Sequence, residues 1–172
     1  MKTPPLALAA ASLALALSLL SLVSACSQDK PQFADAAAQA EKKLEEKKAL
    51  GDNAPKEVEG KKLNAFFPET LEGGKRTFTT EKPGYVEAKY QKDGADLCTV
   101  TIADLVDNAD SKDKYAKSTE KVDGYPVTTF GKKQSMLLVK DRYQVKIISD
   151  TLTHEQRKAL LEKVDLKGVA GL

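Results

Sequence analysis

Cys26 is the residue whose surroundings carry the clearest chemical signal in this 172-residue sequence. It follows an uncharged, largely apolar run, residues 6–23, and the only charged residue before it is Lys2. The small residues Ser24 and Ala25 stand directly before the cysteine. A positive start, an apolar middle and small residues at the cut are the features of a secretory signal. The sequence therefore predicts that residues 1–25 are a signal peptide, which is removed, and that Cys26 becomes the first residue.

The alternative is that the same run is a transmembrane helix, since about 18 uncharged apolar residues can span a bilayer. The flank argues against this, because Ser27, Gln28 and Asp29 follow where a stop-transfer segment would carry Lys or Arg. In addition, Val23-Ser24-Ala25-Cys26 resembles the lipobox of bacterial lipoproteins, which is an aliphatic residue, a small one, Gly or Ala, and then Cys.

The lipobox resemblance implies a specific chemistry at Cys26. In such proteins the thiol accepts diacylglycerol, a peptidase cuts before the cysteine, and the new amine is acylated, for example with palmitate. Two or more acyl chains anchor a protein stably, whereas one gives only marginal binding. Ser27 follows the cysteine, where an Asp would imply retention in the inner membrane. We therefore expect a cell-envelope protein that is held at the outer membrane by lipid on Cys26 and faces the periplasm.

The charge balance excludes one class of partner. Removal of residues 1–25 takes only Lys2, so Lys+Arg falls from 27 to 26 against 25 Asp+Glu. A nearly neutral chain with interspersed signs lacks the basic face that nucleic acids require. The expected partners are the membrane, through the lipid, and an envelope protein or the cell wall.

Beyond Cys26, no residues have the types and spacing of a catalytic, cofactor-binding or metal site. His154 is the only histidine, and we interpret it as a surface residue in the first turn of the last predicted helix. One His and two Cys are too few for a His/Cys zinc cluster. Gly73-Gly74-Lys75 lacks the rest of a phosphate-binding loop and indicates a turn. Four aspartates are spaced three apart, unlike the ligands of an EF-hand: Asp104, Asp107, Asp110 and Asp113.

Cys98 would be left without an intramolecular partner if Cys26 carries lipid. It alternates with Val100 and Ile102 on one face of a predicted strand, which is the apolar face. Free cysteine is among the most buried residue types, so we favour an inert core thiol over a functional one.

Residues 33–50 are rich in Ala, Glu, Lys and Gln without Gly or Pro, and they predict a helix. Its apolar stripe is thin, which favours a solvated spacer over a helix that binds a partner. Gly51 is well placed to end it. We predict a lipid-anchored helical spacer and linker over residues 26–57, followed by a globular domain over residues 58–172.

The globular part shows period-two alternation and hairpin turns at Asp93-Gly94 and Asp123-Gly124, which are typical of antiparallel strands. Thr153 and Gln156 form the capping-box pattern of a final helix. The fold class predicted is α+β, with a mostly antiparallel sheet of five or six strands and a C-terminal helix packed on one face, preceded by the helical spacer. The strands are predicted at residues 76–80, 85–91, 97–105, 125–130, 135–140 and 143–149, with a loop carrying a short helix at 107–120.

Three segments carry a resemblance to a group of uncharacterised bacterial lipoproteins. They are Phe67-Pro68-Glu69-Thr70-Leu71-Glu72-Gly73, Val122-Asp123-Gly124-Tyr125-Pro126 and residues 137–145, Leu-Leu-Val-Lys-Asp-Arg-Tyr-Gln-Val. Such domains share an opening of the Leu-Pro-Glu-x-Leu type, in which Phe67 replaces the usual Leu here, and a Val-x-x-Arg-Tyr/Phe-x-Val hairpin before a last helix. The resemblance covers most of residues 60–167 and implies no activity.

Two function classes follow from these features. We favour a tethered binding or scaffolding module, because the polar residues alternate along strands instead of converging on one point. The alternative is an envelope enzyme that uses scattered carboxylate or Lys residues. A deep pocket with paired carboxylates or perturbed lysines would favour the enzyme, and a flat sheet with an exposed apolar or aromatic patch would favour binding.

Overall fold

The computed structural model describes residues 34–51, 54–106 and 108–172. The predicted signal peptide, Cys26 and Phe33 lie outside these residues, so the predictions for them stay predictions. Helix α1, Ala34–Leu50, agrees with the helix predicted over residues 33–50. Its larger apolar residues Leu44 and Leu50 are about half exposed, at 54% and 51%. None of the helices that the structure describes is both long enough and apolar enough to span a membrane.

The described residues after α1 include one antiparallel sheet of eight strands, with the order β1-β2-β3-β4-β8-β7-β6-β5. The strands are β1 Thr70–Leu71, β2 Gly74–Lys82, β3 Tyr85–Lys92, β4 Ala95–Asp104, β5 Glu120–Val122, β6 Tyr125–Phe130, β7 Gln134–Val139 and β8 Tyr143–Ile148. Two four-stranded meanders therefore run outwards from the central pair β4 and β8. The α+β class is confirmed, whereas the expectation of five or six strands is wrong.

The two strands missing from the prediction are the edges of the sheet. Strand β1 has two residues and β5 has three, which is too short to show period-two alternation. Gly124 has a φ of +84° in the tight turn from β5 to β6, and such positive φ angles are what hairpin turns of this kind require. Very short edge strands also limit pairing with other chains.

Strand β6 contains Pro126, and a proline has no N–H to donate to a strand ladder. Pro126 suggests an edge strand or a later start, but β6 begins at Tyr125 and lies one strand inside the edge. Its pairing with β7 starts only at Val127, and Pro126 pairs with Lys121 of β5. The missing N–H of the proline therefore lies outside the β6–β7 ladder. The turn between β7 and β8 spans residues 140–142, with positive φ angles at Lys140 and Asp141.

One face of the sheet carries the main core. Helices α2 (Gly60–Asn64), α3 (His154–Leu161) and α4 (Leu166–Ala170) supply Leu63, Leu160, Leu161, Leu166 and Val169 to it. The cap of α3 is as predicted, since the Thr153 hydroxyl accepts from the Gln156 N–H at 3.3 Å and the Gln156 side chain accepts from the Thr153 N–H at 2.9 Å. The predicted packing of the C-terminal helix on one face is confirmed.

The opposite face, called the outer face here, is covered over β7 by a 3-10 helix, Ala109–Tyr115. This is the short helix expected within residues 107–120. Tyr115 packs with Met136 and Leu138 in a second, smaller apolar cluster, and its hydroxyl accepts a hydrogen bond from Gln144 at 2.9 Å. The segment thus closes the part of the outer face where β7 is apolar on both sides.

Candidate functional site

His154 is the first residue of α3, as predicted, but its ring does not lie free in water. The side chain is only 24% exposed, and both ring nitrogens have partners. Nδ1 lies 2.8 Å from the Ser135 hydroxyl of β7, and Nε2 lies 3.2 Å from Oε2 of Glu120 on β5. The interpretation of His154 as a solvated helix-start residue is therefore wrong. Its position at the helix start points the ring back towards the strands.

His154 belongs to a group of six polar residues that joins β5, β7 and α3, and we call this group the His154 cluster. Its members are Glu120, Ser135, His154, Glu155, Arg157 and Lys158. Sequence reasoning missed it, because Glu120 and Ser135 come from strands far from the helix in sequence. Glu120 in particular lies on the unpredicted strand β5.

Ser135, His154 and Glu120 are residue types that form hydrolytic triads, but Ser135 has the wrong environment for a nucleophile. It is fully buried, at 0% exposure, so no substrate can reach its hydroxyl. Its oxygen also accepts a hydrogen bond from Arg157 Nε at 2.8 Å. The hydroxyl thus holds the imidazole in place instead of attacking a bond.

Arg157 is the buried cation of the cluster. It is 2% exposed, and its guanidinium donates to the Ser135 hydroxyl and to the Leu152 carbonyl. Burial lowers the pKa of this guanidinium. Both described partners are neutral oxygens, which anchor the side chain and fix the direction of Ser135.

The outer part of the cluster is an ion-pair network in contact with solvent. Lys158 Nζ lies 2.5 Å from Glu120 Oε2 and 3.3 Å from Glu155 Oε2. The hydrogen bonds from Lys158 and then His154 lower the pKa of Glu120, and the bond to Glu120 raises the pKa of Lys158. One ligand atom each from Glu120, His154 and Glu155 lies within 4.8 Å of the others, so these three side chains could hold a metal ion.

A cavity of about 330 Å³ lies beside the cluster. Glu120 and His154 line it together with polar residues of the segment before β5 and of β6, including Ser118, Thr128 and Thr129. The cavity gives solvent and small molecules access to the outer part of the cluster, but not to the buried Ser135.

A second network, which we call the Asp104 clamp, joins Asp104 at the end of β4, Arg142 before β8, and the backbone of residues 56–58. Arg142 donates to the carboxylate twice, from Nε at 2.9 Å and from a terminal nitrogen at 2.8 Å. The N–H groups of Val58 and Val106 donate to it at 3.0 and 3.1 Å. Burial alone would raise the pKa of Asp104, but these hydrogen bonds outweigh it and hold the pKa below its usual range.

The Asp104 clamp fixes the chain where the predicted linker meets the predicted globular domain. Arg142 also donates to the Lys56 carbonyl at 3.0 Å, and the Val58 carbonyl accepts from the Gly84 N–H at 2.8 Å. With four hydrogen bonds to it and no exposed side-chain surface, the carboxylate has no free electron pair directed at solvent. A structural role follows.

The outer face of β2, β3 and β4 carries an ordered set of polar side chains. Thr79 and Tyr85 both donate to the Glu87 carboxylate, at 2.8 and 2.9 Å. Farther along, Asp96 accepts from Lys89 at 3.0 Å and from Gln91 at 2.7 Å. These groups are exposed or half-buried, so this part of the sheet presents a polar surface of mixed charge that is held by cross-strand hydrogen bonds.

Cys98 is in the main core at 4% exposure, as predicted from the alternation on β4. Burial raises the pKa of its thiol to about 12, so almost none of it is the reactive thiolate at neutral pH.

Comparison of the sequence with protein-family models, with curated proteins and with solved structures finds no match. The resemblance to uncharacterised bacterial lipoproteins therefore stays a prediction, and the contacts described above are the basis for assigning a function.

Proposed function

We propose that this chain is a lipid-anchored protein of the bacterial cell envelope and that its folded part is a binding module for another envelope protein. The sequence around Cys26 supports the anchor. The observation that carries the binding role is the ordered polar surface on the outer face of β2–β4. Side chains that are already held by neighbours lose little rotamer freedom when a partner docks.

The mixed charge of this surface favours a protein partner. Glu87, Lys89 and Asp96 alternate in sign across two strands, and such patterns are recognised by a surface of complementary charges. A partner of one sign would meet like charges at some of these positions.

The alternative, an envelope enzyme that uses carboxylate or Lys residues, has weaker support. Glu120 is engaged by Lys158 and His154, and the Asp104 carboxylate is saturated by Arg142 and backbone N–H groups. Ser135, the hydroxyl nearest to the imidazole, is buried. Groups that are already occupied must exchange partners before they can act on a substrate.

The anchor is tested by Cys26→Ser, because the predicted lipid acceptor is this thiol. We expect the variant to keep residues 1–25 and to carry no lipid, as measured by the intact mass of the purified chain. Ser27→Ala is the matched control and should be processed like the unchanged chain. Lipid or normal cleavage in the Cys26→Ser chain would refute the anchor.

The binding surface is tested by a photoreactive amino acid at Thr77, which is exposed on β2 next to Lys89. The control position is Lys163, which is exposed after α3, on the side of the sheet opposite to Thr77. We expect a discrete protein adduct in intact cells when the photoreactive residue is at position 77, but not when it is at position 163. Adding Lys89→Glu to the chain with the photoreactive residue at position 77 should remove the adduct. Adducts of equal yield from both positions, no adduct, or an adduct released only by wall-degrading enzymes would each contradict the proposal.

A further inference from the structure

We propose that Glu120, His154 and Glu155 form a binding site for one divalent transition-metal ion such as Zn²⁺, and that the Lys158 ammonium occupies this site in the metal-free protein. This site goes beyond the proposed binding surface, which lies on β2–β4. The donor set of one imidazole and two carboxylates is typical of zinc and related first-row ions.

The spacing of the ligand atoms fits one small ion. Two atoms bound to a tetrahedral zinc at about 2.1 Å lie about 3.4 Å apart. His154 Nε2 and Glu120 Oε2 are 3.2 Å apart, so both can bind the same ion with almost no movement. Glu155 supplies a third oxygen within 4.8 Å of both, and its side chain is 75% exposed, which leaves it free to rotate inwards.

The imidazole is oriented as a metal ligand should be. A ligating histidine usually donates its other ring N–H to an oxygen that fixes the ring. Here Nδ1 lies 2.8 Å from the Ser135 hydroxyl, and Arg157 Nε donates to the same hydroxyl oxygen at 2.8 Å. A hydroxyl oxygen has two lone pairs, so it can accept from Nδ1 and from Arg157 together. With the ring proton on Nδ1, the lone pair of Nε2 points at the carboxylates.

A metal ion must compete with the Lys158 ammonium for the two carboxylates. Its ammonium lies between the two carboxylates, at 2.5 Å from Glu120 and 3.3 Å from Glu155. A divalent ion carries twice the charge and can coordinate both oxygens and the imidazole, so it displaces the ammonium into solvent. The cavity beside Glu120 and His154 gives water access to the remaining coordination position.

The test is calorimetric titration of Zn²⁺ into the full chain in detergent, with Cys26→Ser in every variant so that this thiol does not bind the metal. We expect one ion per chain. Lys158→Met should tighten binding by about tenfold or more, because a fixed competing charge is removed. Lys163→Met removes the same charge from an exposed position outside the cluster and should leave the affinity unchanged.

The ligand variants complete the test. Glu120→Gln and His154→Ala should abolish Zn²⁺ binding, and Ser135→Ala should weaken it by about tenfold as a group that orients the ligand. Glu120 is exposed, so Glu120→Gln keeps the test valid if the His154 or Ser135 variant unfolds. Unchanged Zn²⁺ affinity in Glu120→Gln, or equal affinity in Lys158→Met and Lys163→Met, would overturn the proposal.

Discussion

The Asp104 clamp and the His154 cluster each join a carboxylate to a cation from a distant part of the chain, yet their surroundings differ. The Asp104 side chain has no exposed surface and its partner Arg142 is 34% exposed. Glu120 is 45% exposed and its partner Lys158 is 21% exposed. The carboxylate of the first pair is therefore buried away from water, whereas the carboxylate of the second pair is in contact with water.

This difference separates a structural carboxylate from one that is available to ligands. Removing one partner of a buried pair leaves an uncompensated charge, which is strongly destabilising. A pair in contact with water can exchange its partner for water or for another ion at little cost. The same residue types therefore hold the chain in one region and offer a site in the other.

The largest effect should come from Asp104→Asn, which keeps the shape but removes the charge that faces Arg142. One amide N–H₂ would also replace an oxygen that accepts from Arg142 or a backbone N–H. We expect a loss of about 2–4 kcal/mol in the free energy of unfolding, measured by urea denaturation. Asp150→Asn is the control, because that carboxylate is 75% exposed beside Lys133, and its denaturation midpoint should not move.

The same pair predicts a pH dependence with a definite sign. The pKa of Asp104 is lowered in the folded state, so its contribution is fully present above the unfolded value of about 4 and is lost as the pH falls through the folded value. The difference in stability between the unchanged chain and Asp104→Asn should be constant near neutral pH and should shrink in acid. A difference that grows below about pH 4 would contradict the assignment.

Ser135→Ala tests the buried part of the His154 cluster. It removes the hydroxyl that Arg157 Nε and His154 Nδ1 share, and it leaves the buried Nε–H without this acceptor. The expected loss is about 1–3 kcal/mol in the free energy of unfolding. Thr129→Ala is a useful comparison, because Thr129 is exposed on the neighbouring strand opposite Ser135. A silent Ser135→Ala would mean that the inner hydrogen bonds do not stabilise the fold.

The sequence could predict those parts of the fold that follow from local patterns. Alternation along residues 85–91, the turn at Asp93-Gly94 and the capping box at Thr153 each act over a few residues, and all three are present in the structure. The edge strands β1 and β5 were missed, since two or three residues are too few to show a period. They are specified by the hairpin turns that pair them with β2 and β6.

Neither network could be predicted, because its members meet only in the folded chain. Asp104 and Arg142 are 38 residues apart, and Glu120 and His154 are 34 apart. Asp104 ends β4 and Arg142 precedes β8, so the two side chains meet only because β4 pairs with β8. The sequence alone does not give this strand order. The prediction for Cys26 rests on contiguous residues, and it is independent of this difficulty.

His154→Ala tests how much the imidazole ring contributes to the stability of the fold. A solvated ring would make the change almost silent, but the half-buried ring with two partners predicts a loss of about 0.5–1.5 kcal/mol. Thr153→Ala, which removes the capping oxygen of α3, should cost about 0.5–2 kcal/mol. Thermal or urea denaturation of both variants gives the comparison. If His154→Ala is silent while Thr153→Ala is not, the hydrogen bonds of the imidazole make no net contribution to stability.

The smallest effect should come from Glu120→Gln, and this variant tests the comparison most directly. Glu120 is paired with a cation in the cluster as Asp104 is in the clamp, but its side chain is 45% exposed to water, and Lys158 keeps Glu155 as a second partner. We therefore expect an unchanged melting temperature by circular dichroism, because water replaces the lost ion pair. In the double variant with Asp104→Asn, the two changes share no hydrogen-bond partner and should add. A loss comparable to that of Asp104→Asn would mean that Glu120 is a structural carboxylate too, and the two regions would then differ in position but not in role.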